Sequence, residues 1–396
     1  MSGLIAVAVA ELRRIFALRP VFSVLVLGVI VYAVFYPQPY LNETLRDVPI
    51  ALVDLDGTQS SRDLARRVDA TSDVAVAQVL PDLASAQREV FARRVDGILL
   101  IPQYFERELL HGRPSPVALY ADASYFLIYQ RVASGVTAAA RTVGAEVEAA
   151  RLVAFGIDPV IAAAATDPMP LTAVPLFNPE GGYATYVLPA AFVLLLQQTL
   201  LIGVGLLGTL SGGRPGDTDP LLQSASPLVI VLGKLLAYLA LQAVILPAYL
   251  IALPYLYGLP RLGGVLPLLF FAIPFVLSVA GLGMVIAGIF RTGLAVQLAM
   301  AAVGLPLFMM AGFSWPSEAI PPAIRLLSEL VPSTAAIEGF VKLSQLGAPL
   351  SAARPQILTL WALAVVYNGI ALVLVARQGK SFRSSVASGP STNAAT

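Results

Sequence analysis

The sequence predicts an α-helical polytopic membrane protein with six transmembrane helices, one near the amino terminus and five together, and an extracytoplasmic α/β domain inserted between the first and second. Three observations predict it. No Asp, Glu, Lys or Arg lies between Glu180 and Arg214, Lys234 and Arg261, Arg261 and Arg291, Arg291 and Glu318, or Arg354 and Arg377. Each gap can hold a bilayer-spanning helix of about 20 apolar residues, and each is apolar all round, whereas a soluble surface helix keeps a polar face. Residues 37–182 differ, carrying 18 acidic residues and 12 arginines but no lysine. The whole chain is 57% hydrophobic and 12% charged with a mean hydropathy of +0.79, a membrane composition.

Composition also excludes some functions. A net charge of +1 points to no nucleic-acid partner. With 0 cysteines there is no disulfide, thiolate metal site or cysteine nucleophile, and the lone His111 cannot form a histidine cluster, so no metal site is expected.

The elements follow in chain order. Residues 1–20 read as a cytoplasmic amphipathic helix along the membrane surface, with Leu4, Ile5, Ala8, Leu12, Ile15 and Phe16 near one side and Glu11, Arg13 and Arg14 elsewhere. The first span is placed at 21–36, as an uncleaved anchor, because the bulky YPQPYLNE that follows lacks a small-x-small cleavage site. In 37–182, short apolar strands at 48–54, 74–79, 97–101 and 116–122 alternate with helices at 60–68, 83–93 and 104–110. That alternation predicts an α/β sandwich. A long Ala-rich helix over 125–155 and a linker bearing Pro168, Pro170, Pro175 and Pro179 return the chain to the membrane. The five-helix block, 183–377, is read as spans at Ala184–Leu210, Leu228–Leu253, Val265–Phe290, Gly293–Phe313 and Ile357–Ala376, with an inner loop at 211–227 and a re-entrant outer loop at 312–356. Residues 378–396 form a cytoplasmic tail, disordered after Phe382.

Orientation follows from the positive-inside rule. With both termini inside, the inner segments carry Arg13, Arg14, Arg19, Arg214, Lys234, Arg291, Arg377, Lys380 and Arg383 against Glu11, Asp217 and Asp219.

Two motifs invite catalytic readings and decline them. VDLDGT at 53–58 matches the nucleophile strand of haloacid-dehalogenase-type phosphohydrolases. That chemistry also needs a cation on the phosphate and a later acidic pair for Mg²⁺; there is no Lys before Lys234 and no adjacent acidic pair. The residues read instead as a strand end whose Asp56, Thr58 or Ser60 caps the next helix. GVGLLG at 203–208 spells a dinucleotide fingerprint, but within an uncharged span it reads as a close-packing face.

The long spans hold no ionisable residue except Lys234, placed to snorkel at a span end. Coupling to an ion gradient is therefore disfavoured. Their neutral polar residues Gln197, Gln198, Gln242, Ser278, Gln297 and Asn368 read as interhelical hydrogen-bonding groups, or as the lining of a substrate path for Gln197, Gln198, Gln242, Gln297 and Asn368. No G-x-x-x-x-G-K-S/T loop is present, so energy from ATP would come through another subunit.

At the two loops the sequence resembles the permease subunits of type-2 ATP-binding-cassette exporters. The inner loop is similar to the family segment in which Gly-Thr and Leu-Leu pairs precede Ser-Pro and a Gly-Lys opens the next span, matched by Gly216, Thr218, Leu221, Leu222, Ser226, Pro227, Gly233 and Lys234. It departs in placing Asp217 between the Gly and Thr. The outer loop resembles the family's Pro-rich stretch at Gly312, Pro316, Pro321, Pro332, Glu338, Gly339 and Gly347, and Asn178-Pro179 also recurs. The pieces VDLD, SR, IP and F-x-x-x-L resemble the subgroup with a large insert between spans one and two.

The resemblance implies a half-transporter in the bacterial inner membrane that forms a homodimer, or a heterodimer with a paralogous permease. It also implies a cytoplasmic ATP-binding-cassette ATPase that holds ATP and Mg²⁺, this chain binding no cofactor, and allows for a periplasmic adaptor. The inner-loop residues would couple to that ATPase, and the cargo would be a hydrophobic or amphipathic compound such as a drug or lipid. Two other readings remain open: a membrane-anchored receptor or scaffold, and an outer-domain phosphohydrolase.

Overall fold

The computed structural model describes residues 2–41, 44–169, 171, 174, 176–178, 181–210, 225–290, 292–313, 315 and 317–387. The chain divides into two compact units, Met1–Glu43 with Pro175–Thr396, and Thr44–Val174.

The first unit opens with α1 (Ser2–Ala17), followed by α2 (Arg19–Tyr40), which contains a π-helical segment at Ser23–Gly28. The face of α1 that is buried consists of Val7, Ala8, Glu11 and Ile15, whereas Ile5 and Phe16 are exposed. This corrects the predicted apolar face: Glu11 lies inside, because it finds charged partners there.

The second unit holds β1 (Val48–Asp54), α3 (Gln59–Asp69), β2 (Val74–Val79), α4 (Leu83–Phe91), β3 (Gly97–Ile101), α5 (Phe105–Leu110), β4 (Ala118–Ala121), α6 (Phe126–Ala154) and α7 (Pro159–Thr166). Its sheet runs β2-β1-β3-β4, with β1 parallel to β2 and β3, and β4 antiparallel to β3. Side chains alternate across β1: Ile50 and Leu52 pack with Leu64, Val68, Val132 and Val136 from α3 and α6, while Ala51 and Val53 pack with Ala86 from α4. Covered on both faces, β1 is apolar along its length, as a central parallel strand should be. The arginines stay outside, in surface ion pairs such as Arg67 with Asp63 and Glu146. Pro170, Pro175 and Pro179 of the predicted linker lie outside the described residues; α7 precedes it and has no counterpart in the sequence reading.

The first unit resumes with α8 (Tyr183–Thr209), α9 (Pro227–Leu256), α10 (Val265–Ile289), α11 (Gly293–Met310), α12 (Pro322–Ser328), α13 (Pro332–Phe340) and α14 (Arg354–Ala387). Among the described residues, five helices are long and apolar enough to cross a membrane: α2, α8, α9, α10 and the Leu350–Gln378 stretch containing most of α14. The predicted Gly293–Phe313 span corresponds to the helix α11, Gly293–Met310. Helix α14 continues past Phe382, where a disordered tail is predicted. Prolines 189, 247, 274 and 306 lie inside helices, a placement that membrane helices tolerate where neighbours satisfy the freed carbonyls. In α9, a π-helical segment at Ala248–Ala252 directly follows Pro247, which has no N–H to give.

Helix α8 is the hub of the bundle. The glycines of GVGLLG give it three contacts: a Cβ on Gly203 would lie 2.3 Å from the Leu25 side chain of α2, on Gly205 2.6 Å from Val296 of α11, and on Gly208 2.4 Å from Ala287 of α10. Any side chain there would force a helix away, so the motif is a packing device.

Candidate coupling site

Helix α9 begins where the inner loop ends. Ser226 caps it by accepting the Val229 N–H, and Pro227 occupies the first turn, where its missing N–H costs nothing. Gly233 then lets α1 cross closely, since a Cβ there would lie 2.7 Å from the Val7 side chain and 3.0 Å from the Leu4 carbonyl oxygen.

One residue on, Lys234 is buried rather than snorkelling, with a side chain only 7% exposed. Its ammonium lies 3.7 Å from Glu11 Oε1, and the Glu11 side chain is 3% exposed. Tyr238 donates its hydroxyl to the same oxygen at 2.6 Å, and Arg14 donates to Oε2 at 2.8 Å. Arg14 reaches further, donating at 2.8 Å to the Leu207 carbonyl in the last turn of α8. Among the described residues, Glu11 faces both Arg14 and Lys234, and the partial negative charge at the α8 C-terminus also favours the Arg14 guanidinium. Burial of an unpaired ion would be very costly, so each member requires the others. The result is a four-residue clamp joining α1 to both flanks of the inner loop, through α8 before it and α9 after it.

Of the predicted coupling residues, Ser226, Pro227 and Lys234 belong to this construction. Gly216, Thr218, Leu221 and Leu222 lie outside the described residues. Glu11, Arg14 and Tyr238 were missed, although Glu11 is the one acid before Glu43, a signal available in the sequence.

The neutral polar candidates do not form one lining. Gln197, fully buried, accepts the Ser333 N–H at 2.6 Å and donates to its hydroxyl at 3.0 Å. Ser333 is the second residue of α13, so the Gln197 side chain satisfies an N–H left without an intrahelical partner. Gln198 donates to the Met300 carbonyl at 3.5 Å, and Asn368 to those of Leu277 and Ala364 at 3.0 and 2.7 Å. Gln297 is exposed. Gln198, Gln242 and Asn368 each keep a buried side-chain oxygen with no donor among the described residues.

In the outer-loop segment, Gly312 and Gly347 adopt positive φ, +82° and +63°, and Pro321 precedes α12. Buried Pro332 starts α13, exposed Glu338 pairs with Lys342 at 2.7 Å, and Gly339 seats the Phe271 ring, 2.1 Å from where its Cβ would lie. Pro316 lies outside the described residues.

The VDLDGT acids are structural. Asp54 accepts from the Asp56 and Gly57 N–H groups and the Ser61 hydroxyl, and Asp56 from the Thr58 hydroxyl and the Glu106 N–H. Burial pushes the Asp56 carboxyl up, but the bonds from Thr58 and the Glu106, Tyr104 and Phe105 amides outweigh it and hold the group below the ordinary aspartate value. Thr58 caps α3.

Residues 20–373 match the family described as ABC-2 family transporter protein. The chain belongs to this family. Its several helices long and apolar enough to cross a membrane agree with membership of a membrane-protein family. A 159-residue stretch is also 27% identical to the protein named "Probable multidrug ABC transporter permease YbhS" from Escherichia coli strain K12, and equally to its namesake from Escherichia coli O157:H7. The match covers 40% of this chain and 42% of each relative, so it spans less than half the length of these curated relatives.

Proposed function

We propose that this ABC-2 family member is the membrane-spanning half of an ATP-driven exporter, moving a hydrophobic or amphipathic substrate out of the cytoplasm or inner leaflet of a bacterial inner membrane. The observation that carries this reading is the family match over residues 20–373, which takes in both the first and last spans and the inserted domain. In this arrangement α11 completes six spans, both termini are cytoplasmic, the α/β domain is extracytoplasmic, and α12 and α13 re-enter the outer leaflet. Two permeases, identical or paralogous, pair with ATPase subunits that hold ATP and Mg²⁺, and an adaptor docks on the outer domain. Gln198, Gln242 and Asn368 contribute to the substrate path the side-chain oxygens that have no donor among the described residues.

Coupling works through the clamp. ATPase closure pushes the inner loop around Leu221 and Leu222. Because Arg14, Glu11 and Lys234 tie α1 to both flanks of that loop, the push moves α1 and α9 as one body. The shift requires the ATPase to bind the two permease states with different affinity.

Pull-down of the tagged protein in mild detergent tests the assignment. Recovery of a Walker-motif subunit with ATP hydrolysis altered by hydrophobic compounds is the expected result; recovery of the chain alone, even with a candidate ATPase co-expressed, contradicts it. Asp substitutions at Leu221 and Leu222 should abolish ATPase-dependent export while leaving membrane insertion intact, and normal export would refute the coupling route.

A further inference from the structure

In the α/β unit a cleft lies between α4 and the edge strand β4. On this face of the sheet α4 covers β1 and β3, where Ala86 packs with Ala51, Val53 and Ile98. Strand β4 extends the sheet by one strand and sets Tyr120 opposite Ile98. Opposed residues of an antiparallel pair share a face, so Tyr120 stands on the α4 side, where it remains 49% exposed. The cleft has a volume of about 420 Å³, and Phe91, Arg93, Ile98, Tyr120, Asp122 and Ser124 are among its walls. That size suits a small ligand.

The residue that closes α4 is unusual for its position. The helix ends in a Schellman arrangement, in which the Arg93 N–H donates to the Val90 carbonyl at 2.9 Å and the Arg94 N–H to the Glu89 carbonyl at 3.0 Å. Arg93 therefore takes the left-handed position, φ +54°, where glycine or asparagine is usual. A side chain there carries backbone strain, which clusters at ligand sites. What the arginine obtains is reach. Its guanidinium lies 3.6 Å from Asp122 Oδ2 and sits over the Tyr125 ring, 5.7 Å from its centre. The other oxygen of Asp122 accepts the Ser124 N–H at 2.9 Å, which fixes the carboxylate.

The cleft thus already contains a cation, tethered by its own side chain. It is loosely held: the Arg93 side chain is 66% exposed, and exposed ion pairs contribute little. Arg93 also acts on Asp96, whose carbonyl accepts the Asp122 N–H at 2.9 Å. Burial and the neighbouring Asp122 push the Asp96 carboxyl up, and Arg93 pulls it back. Phe91, 82% exposed, adds a second bare ring beside Tyr120. Carboxylates and the faces of aromatic rings both attract cations, whereas an anion entering the cleft would meet Asp122.

We propose that this cleft binds a small organic cation bearing an aromatic ring. Its ammonium takes the place beside Asp122 and Tyr125 that the Arg93 guanidinium holds, and its ring lies against Phe91 and Tyr120. The site lies wholly within the α/β unit and does not rest on the exporter reading.

Isothermal titration calorimetry of the full-length protein, in neutral-detergent micelles at neutral pH, tests the site with three probes of similar shape: benzylammonium, benzyl alcohol and benzoate. The wild-type chain should bind benzylammonium roughly tenfold tighter than the alcohol, a difference sized for one charge pair with a ring contact, and should not bind benzoate. Asp122→Asn keeps an acceptor for Ser124 but removes the charge, and should weaken benzylammonium roughly fivefold. Tyr120→Ala should weaken benzylammonium and the alcohol alike. Arg93→Asn removes the internal cation while suiting the left-handed backbone, and should tighten benzylammonium roughly fivefold. Circular dichroism reports whether each variant folds, and Arg93→Asn decides alone if the others do not. Equal wild-type affinity for benzylammonium and the alcohol, unchanged affinity in folded Asp122→Asn, or weaker benzylammonium binding in folded Arg93→Asn would each overturn the proposal. So would benzoate binding that Arg93→Asn abolishes, because the guanidinium would then be an anion receptor.

Discussion

Two clamps hold short helices onto the bundle, and they use opposite chemistry. At one, α1 is fastened through the buried ions Glu11, Arg14 and Lys234 with Tyr238; at the other, α13 is fastened through the neutral pair Gln197 and Ser333. An ionic clamp in a dry setting is nearly all-or-none, because removing one partner strands the others. A neutral clamp can open at the modest cost of two exchangeable hydrogen bonds. Under the proposed coupling, the difference would suit α1 to transmitting force rigidly and α13 to shifting between states.

The largest expected effect lies in the ionic clamp. Glu11→Gln removes the buried carboxylate that Arg14 and Lys234 share, and should cost about 3–5 kcal/mol in thermal or denaturant unfolding of the micelle-embedded protein. Adding Lys234→Met should recover much of that loss in a double-mutant cycle; additive losses would show that the two residues are not a pair. Gln197→Leu should cost less, about 1–3 kcal/mol, by stranding the Ser333 N–H, and should raise hydrogen exchange in α13 while leaving α1 protected. Equal exchange at both helices would erase the distinction between the clamps.

Smaller still are changes in the α/β unit, where polar groups cap or sit in water. Thr58→Ala removes the α3 cap and should cost about 1 kcal/mol, without affecting transport. The exposed Arg94–Glu89 pair, 2.5 Å apart, contrasts most with the buried one. Arg94 holds the Glu89 carboxyl at about 2, chiefly by hydrogen bonding. Since that value lies below the unfolded one, the pair's contribution is present above about pH 4.3 and fades as pH falls toward 2. In Arg94→Gln, NMR titration should find Glu89 back near about 4.3; an unmoved titration would mean another group holds it.

The helix extents were legible because charge is expelled from apolar spans, so Glu180, Arg261, Arg291 and Arg354 mark boundaries directly. The α/β unit was legible because a covered parallel strand such as VPIALVD must be apolar throughout. GVGLLG was readable as a packing face for the same reason: in a charge-free helix, glycine has little else to do. The clamp was not legible. Glu11 sits on what reads as the polar side of an amphipathic helix, and Lys234 at a span end reads as snorkelling. Only the close crossing of α1 and α9 at Gly233 makes them partners, and nothing local in either segment encodes that crossing. Gln197 was flagged as polar within a span, but its bond to the first turn of α13 depends on how the outer segment folds back.

The natural absence of cysteine allows the central claim to be tested cleanly. Val7→Cys with Ile230→Cys would staple α1 to α9, where these residues pack together, and Gln197→Cys with Ser333→Cys would staple α8 to α13. Each oxidised pair would be assayed in the co-purified ATPase complex for ATP hydrolysis and, in vesicles, for efflux of ethidium. If α1 and α9 move as one body, the first staple leaves both activities near wild type while the second suppresses them until the disulfide is reduced. Loss of activity with the first staple, restored by reductant, would show that α1 and α9 move against each other and would contradict the account.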